Sequence, residues 1–277
     1  MRGVFSRALG AGVMVFALAG CASGDGGGSG SGDDAGGAPG GPATDAGPAR
    51  FVSDDALTVC VDAPKYPFAF QSPGGDWLGS DIEVVEHLAA ELDRELVVVP
   101  VPFDGIWRRP AAAECDLAVA AITITDARRA EAAFTRSYLD AGQALAVRTE
   151  DEGAYALLAD LGGQAIGVKA GTTSEEYLRG HLPAGASLVT YPDTEAMFIA
   201  LGAREVEAVL ADLPIAGYRS TLDAALSVTE IIDTDEHYGL AAASSNTGLV
   251  ATVDEALAAY LAGDDYRSLL SRWFGIR

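Results

Sequence analysis

Between Leu57 and Asp212 the chain alternates short apolar runs with longer amphipathic ones, and this alternation constrains the fold more than any other feature. LTVCV (57–61), LVVVP (96–100) and DLAVAAI (116–122) read as strands, with helical segments from Asp81 and after Phe103 between them. A second set follows: QAIGVKA (164–170), SLVTY (187–191) and VEAVLAD (206–212), separated by helices from Ser174 and over 194–203. Strands that alternate with helices build parallel sheets with helices packed on their faces, so the expectation is an α/β chain of two lobes. The tail from Gly248 reads as two further amphipathic helices. With 277 residues, 49% of them hydrophobic, there is enough apolar material for a packed core.

Local signals place the helix starts. In SDIEVVEHLAAELDRE, Ser80 and Glu83 have capping-box spacing, which makes Ser80 the N-cap, and Ile82, Val85, Leu88, Ala89 and Leu92 form an apolar stripe for the sheet. Thr173 and Glu176 repeat the capping-box spacing after the strand that ends at Lys169.

Acidic residues outnumber basic ones by 40 to 18, a net charge of −22, which argues against nucleic acid as a partner because phosphate binding needs a basic face. His87, His181 and His237 are scattered and no Cys/His spacing indicates a metal, so neither a metal nor a cofactor is expected.

The first twenty residues carry Arg2 and Arg7, an apolar run from Ala8 to Ala19, and Leu18-Ala19-Gly20 directly before Cys21. This resembles a bacterial lipoprotein signal, with 1–20 removed and Cys21 acylated as the new N-terminus. Residues 22–50 contain eleven glycines and no large apolar side chain. Residues 21–50 therefore read as a flexible tether, reaching roughly 30 Å from the membrane. The remaining cysteines, Cys60 and Cys115, invite a disulfide in an exported chain. Set on neighbouring parallel strands they stand several residues out of register, a geometry that weighs against a bridge, and the pairing stays open.

In open α/β sheets, ligands gather beyond the carboxyl ends of the strands. After DLAVAAI come Thr123 and Arg128: an arginine there holds a carboxylate with two hydrogen bonds and Thr123 adds a hydroxyl, although a lone arginine of this kind is more often solvated. After QAIGVKA come Gly171, Thr172 and Thr173, whose free amides at a helix start favour an anion. After VEAVLA comes Asp212, which can pair with an ammonium group or simply make a turn before Pro214. Together these strand ends match a free α-amino acid.

The motifs DAPKYPFAF, GSDIE, CDLAVAAITITDARR, FTRSYLDAGQALAVR, GVKAGTT, VEAVLADLPIAGY, YGLA and RWFG, in this order from Leu57 to Gly275, resemble the extracellular solute-binding proteins of family 3, the amino-acid receptors of ABC importers. The resemblance implies a type II periplasmic-binding-protein fold: lobe 1 over 51–139 and 238–277, lobe 2 over 140–237, and crossover hinges near 137–142 and 233–239. It places Arg128 and Thr123 on carboxylate-binding positions, Thr173 on the turn amide beside them, and Asp212 on the ammonium-binding acid. Asp62, Phe103 and Lys169 fall on positions that touch the ligand's ammonium group, apolar body or side chain. Lys65 stands where the family usually places an aromatic that covers the ligand. The implied partners are an amino acid, the importer's transmembrane subunits and the membrane through the lipid anchor, with the receptor itself a monomer.

Lys65 and Lys169 are the only lysines among 18 basic residues, and both sit where a strand gives way to a loop. A cation at the far end of an amino-acid pocket suits a side-chain carboxylate or carboxamide. If either lysine is neutralised by Asp62, the balance moves towards the carboxamide. Two other functions stay open on this fold: a dehydratase acting on small carboxylated rings, which needs a positioned acid or base, and a sensor that signals through a separate membrane partner.

Overall fold

The computed structural model describes residues 47–274; the lipoprotein-like segment, Cys21 and most of the tether lie outside them. Through its first half the chain forms β1 (Ala56–Val61), a small hairpin of β2 (Phe70–Gln71) and β3 (Trp77–Leu78), α1 (Ser80–Glu91) and β4 (Glu95–Pro100). A 3-10 helix (Ile106–Ala112), β5 (Leu117–Ala118), α2 (Asp126–Arg129) and β6 (Ala133–Phe134) follow. It continues through β7 (Leu139–Arg148), β8 (Ala165–Lys169), α3 (Thr173–His181), β9 (Ser187–Tyr191), α4 (Thr194–Gly202), β10 (Ala208–Asp212), α5 (Leu213–Leu222) and β11 (Leu226–Tyr238). It ends with β12 (Ala241–Ala242), α6 (Thr247–Ala262) and α7 (Asp264–Phe274).

Two five-stranded sheets result, in the orders β4-β1-β5-β12-β6 and β11-β7-β10-β8-β9. This is the two-lobed α/β architecture expected from the alternation. Each sheet is mixed, however. The βαβ units supply its parallel strands, β4-β1-β5 and β10-β8-β9, while β6, β12, β7 and β11 pair antiparallel because they carry the chain from one sheet to the other and back. The chain leaves the first sheet after Phe134 and joins β10 from Gln143 onward; it returns between Ile232 and Ala241. Along the crossings β7 and β11 run side by side, with Leu139 opposite Tyr238.

Helix α1 buries Ile82, Val85, Leu88 and Ala89 against the first sheet, as its stripe dictates. Each such leucine or isoleucine contributes roughly 1.5–3 kcal/mol. The N-cap is Gly79, with φ 128°, not Ser80: a Cβ at that position would collide with the Phe68 carbonyl, so glycine is required, and Ser80 becomes the first helical residue with no hydrogen-bond partner for its buried hydroxyl. The strand read over 116–122 shrinks to two residues because Ala121 adopts a left-handed conformation (φ 48°) and turns the chain.

Cys60 and Cys115 are joined by a disulfide, with a Cα separation of 5.7 Å, contrary to the register argument. Cys115 is not part of the extended strand that its sequence run suggests. β5 begins only at Leu117, with Cys115 in the turn after the 3-10 helix, where it packs with Cys60, Phe103 and Trp107 on one face of the sheet. The bridge crosses that face instead of following the ladder. Among the described residues no helix is long and apolar enough to cross a membrane.

Candidate functional site

The carboxyl ends of β1, β5, β8 and β10 converge on one cleft. Of the eight residues singled out from the sequence, Lys65, Phe103, Thr123, Arg128, Lys169, Thr173 and Asp212 line it, and Asp62, which follows β1, reaches it through an ion pair with Lys169. The space left among these side chains is about 20 Å³, little more than one water requires. The cleft is filled by its own groups.

On the first wall, Lys65 is 2% exposed; its Nζ donates to the Ala120 carbonyl at 2.7 Å and lies 4.5 Å from the centre of the Phe103 ring. Burial, with the neighbouring Lys169 charge, pushes its pKa down to about 8 against the opposing pull of Asp62 and Asp212. Arg128, 6% exposed, belongs to the short helix α2, whose N-cap Thr125 accepts the Arg128 N–H at 3.2 Å. Its guanidinium donates to the carbonyls of Thr123 (2.9 Å) and Gly171 (3.2 Å) and stacks 4.6 Å from the Trp107 ring. Burial lowers its pKa, with Asp212 and Glu236 acting the other way. Among the described residues neither cation forms an ion pair.

On the second wall, Lys169 ends β8 and makes an ion pair with Asp62 across the cleft. Gly171 turns the chain with φ 74°, and a Cβ there would press on the Asp104 carboxylate. The N-cap is Thr172, one residue earlier than the spacing of Thr173 and Glu176 indicates, and the reciprocal bond of a capping box is not made, because the Glu175 side chain reaches Gly171 and not the N-cap. Thr172 accepts the Glu175 N–H at 3.3 Å, and Glu175 in turn accepts the Gly171 N–H at 2.8 Å. Both threonines can cap, and the left-handed glycine before them selects the first, which frees the Thr173 hydroxyl to face the cleft. Asp212 ends β10 and accepts from Gln143 Nε2 (3.1 Å), the Ser174 hydroxyl (3.2 Å) and the Tyr238 hydroxyl.

Two buried acids whose bonds reach the walls of the cleft escape the sequence reading. Asp81, fully buried, accepts the Ala121 N–H at 2.9 Å and the Tyr138 hydroxyl at 2.6 Å, and so fixes the left-handed turn that lines the cleft. Burial raises its pKa to about 6. Glu236, on the returning crossover, accepts from the hydroxyls of Thr123 and Thr173 and from Gln143. Within the run DTDEHY it reads as one more solvated acid; the signal that finds it is the period of two, which puts Glu236 on the same strand face as the buried Tyr238.

Both walls thus present polar groups suited to a small zwitterion: a buried guanidinium on one side and a carboxylate on the other. L-cystine-binding protein TcyJ of Escherichia coli is 28% identical over 79% of this chain and 82% of its own. A cyclohexadienyl dehydratase of Pseudomonas aeruginosa is also 28% identical, over a shorter match of 54% of this chain and 56% of its own. Among solved structures, an ancestral arginine-binding protein bound to arginine superimposes with a TM-score of 0.73 at 28% identity, covering 79% of this chain and 98% of that one. The model of the bacterial extracellular solute-binding proteins, family 3, matches residues 57–276, and the chain belongs to that family.

Proposed function

We propose that the protein is a lipid-anchored extracytoplasmic receptor that captures a free polar amino acid between its lobes and delivers it to the membrane subunits of an ABC importer. The observation that carries this reading is the Arg128 guanidinium, buried and without an ion pair, facing Asp212 across the cleft. A buried charge without a partner is costly, and a ligand carboxylate offsets that cost. In this reading Arg128, Thr123 and the α3 start at Thr173 receive the α-carboxylate, Asp212 receives the ammonium group, and Phe103 carries the apolar stem. The lobes, 51–139 with 238–277 and 140–237, close over it as two bodies, with Cys21 holding the receptor at the membrane.

The side-chain end of the pocket favours a carboxamide. Asp62 already neutralises Lys169, which leaves Lys65 as a donor for a side-chain oxygen. Glutamine or asparagine fits that donor first, and glutamate or aspartate second. A basic side chain would meet two ammonium groups. The similarity to a dehydratase favours no catalytic role by itself, since acid–base chemistry needs a positioned proton donor or acceptor.

A thermal-shift panel of the twenty L-amino acids on the purified chain tests the reading. A true ligand at 100 times its Kd adds about 2.7 kcal/mol of stability. Stabilisation by arginine or lysine alone would overturn the side-chain assignment, and no response to any amino acid would overturn the receptor. Release of Cys21→Ser from the membrane fraction checks the anchor.

A further inference from the structure

Glu236 holds a position that neither the sequence motifs nor the receptor reading assigns. It sits where β11 rejoins β7 after a break in register between Ile232 and Glu236, with Asp235 left-handed at φ 51°. From this crossover its side chain reaches both walls. Oε2 accepts from Thr123 Oγ1 (2.8 Å), on the first-sheet side, and from Thr173 Oγ1 (2.6 Å), at the start of α3. Oε1 accepts from Gln143 Nε2 (2.7 Å) and Thr234 Oγ1 (2.7 Å). The carboxylate is 7% exposed as a residue and held by four neutral donors, with no ion pair among the described residues.

A threonine hydroxyl has one proton to give. Thr123 and Thr173 both give theirs to Glu236, so an incoming carboxylate cannot receive them until Glu236 lets go. The same bonds tie a residue of each wall to the hinge strand. We infer that Glu236 is an internal stand-in for the ligand's carboxylate, a latch that ties the two walls together and competes with the amino acid for Thr123 and Thr173. Because a ligand enters only the unlatched form, the observed Kd is the intrinsic one divided by the unlatched fraction. Removing the latch raises that fraction.

The competition half of this inference rests on the proposed amino-acid site; the latch half does not. Small-angle scattering of the ligand-free chain, paired with calorimetry using L-glutamine, separates them. Glu236→Ala is expected to expand the ligand-free protein relative to wild type and to tighten glutamine binding on the order of tenfold, the equivalent of one charge-assisted hydrogen bond. Glu236→Gln keeps the shape but removes the charge; it shifts both readouts the same way by less, and it decides the question if the alanine variant does not fold. Unchanged dimensions sink the latch. Weaker glutamine binding in a folded variant sinks the competition and moves Glu236 to the ammonium side. If wild type binds no amino acid, the receptor reading fails while scattering still decides the latch.

Discussion

On the first wall of the cleft, Lys65 and Arg128 have backbone carbonyls as their hydrogen-bond acceptors, and both rest on the aromatic floor of Phe103 and Trp107. On the second wall, Lys169 is matched by Asp62, and Asp212 is held by Gln143, Ser174 and Tyr238. Carbonyls orient a cation without cancelling its charge, whereas a carboxylate cancels it. The first wall therefore keeps charge that nothing in it cancels, the reserve that the proposed carboxylate would meet, and the second is already close to balanced. Their supports differ too: the first wall's floor packs on the Cys60–Cys115 disulfide, while the second relies on a capped helix and side-chain hydrogen bonds.

If the reserve belongs to the first wall, Arg128→Ala has the largest effect on binding. Removing it leaves the ligand's α-carboxylate buried without its cation, and affinity falls by about 2–5 kcal/mol. Calorimetry with the best amino acid from the panel checks this. The exposed Arg108→Ala, whose partner is Glu131 at the surface, serves as the control and costs little. Equal, small losses in both variants would erase the distinction between the walls.

The support of the first wall can be broken separately. The disulfide closes a loop of 55 residues, and in the chain-entropy account its removal costs about 4 kcal/mol. Cys60→Ser with Cys115→Ser should lower the urea midpoint accordingly. Under native conditions, amide exchange should accelerate around β5 and the 3-10 helix while β8 and β10 keep their protection. Equal acceleration in both sheets would show that the disulfide supports the whole molecule and not one wall.

The two walls also differ in how far the sequence discloses them. Strand ends are legible because a short apolar run followed by a polar residue marks where a sheet meets its loops; Thr123, Lys169 and Asp212 stand at such ends, and the structure brings them to one cleft. Spacing fails where two residues can do one job. Thr172 and Thr173 both fit an N-cap, and the choice depends on the left-handed Gly171 before them. Register reasoning fails where a residue next to a strand has left the ladder, as Cys115 has. Burial of acids is the least legible of all. Asp81 looks like a helix-start carboxylate and Glu236 like part of an acidic loop, and only tertiary contacts with Ala121, Tyr138, Thr123 and Thr173 explain why either is buried.

The smallest effect concerns Lys65, and it sharpens the idea of a reserve because it sets stability against binding. At neutral pH its ammonium group is charged yet almost wholly buried, with one carbonyl acceptor. Its pKa of about 8 in the fold lies below the 10.5 of an exposed lysine. In the window between those values the unfolded chain binds more protons than the folded one, so this residue's contribution makes stability rise with pH from about 8 to 10.5. Below that window the full cost of the buried charge is present. Lys65→Met keeps the aliphatic stem, removes the charge and gives up the contact with the Phe103 ring, for a net gain of about 1–2 kcal/mol near neutrality. Urea titrations at a series of pH values should show the variant more stable than wild type at pH 7 and the gap closing as pH approaches 10.5. The same variant should bind glutamine and glutamate less tightly, since the side-chain donor is gone. A variant that is no more stable than wild type at neutral pH, or a gap that widens with pH, would mean that Lys65 is balanced within the fold and holds nothing back for a ligand.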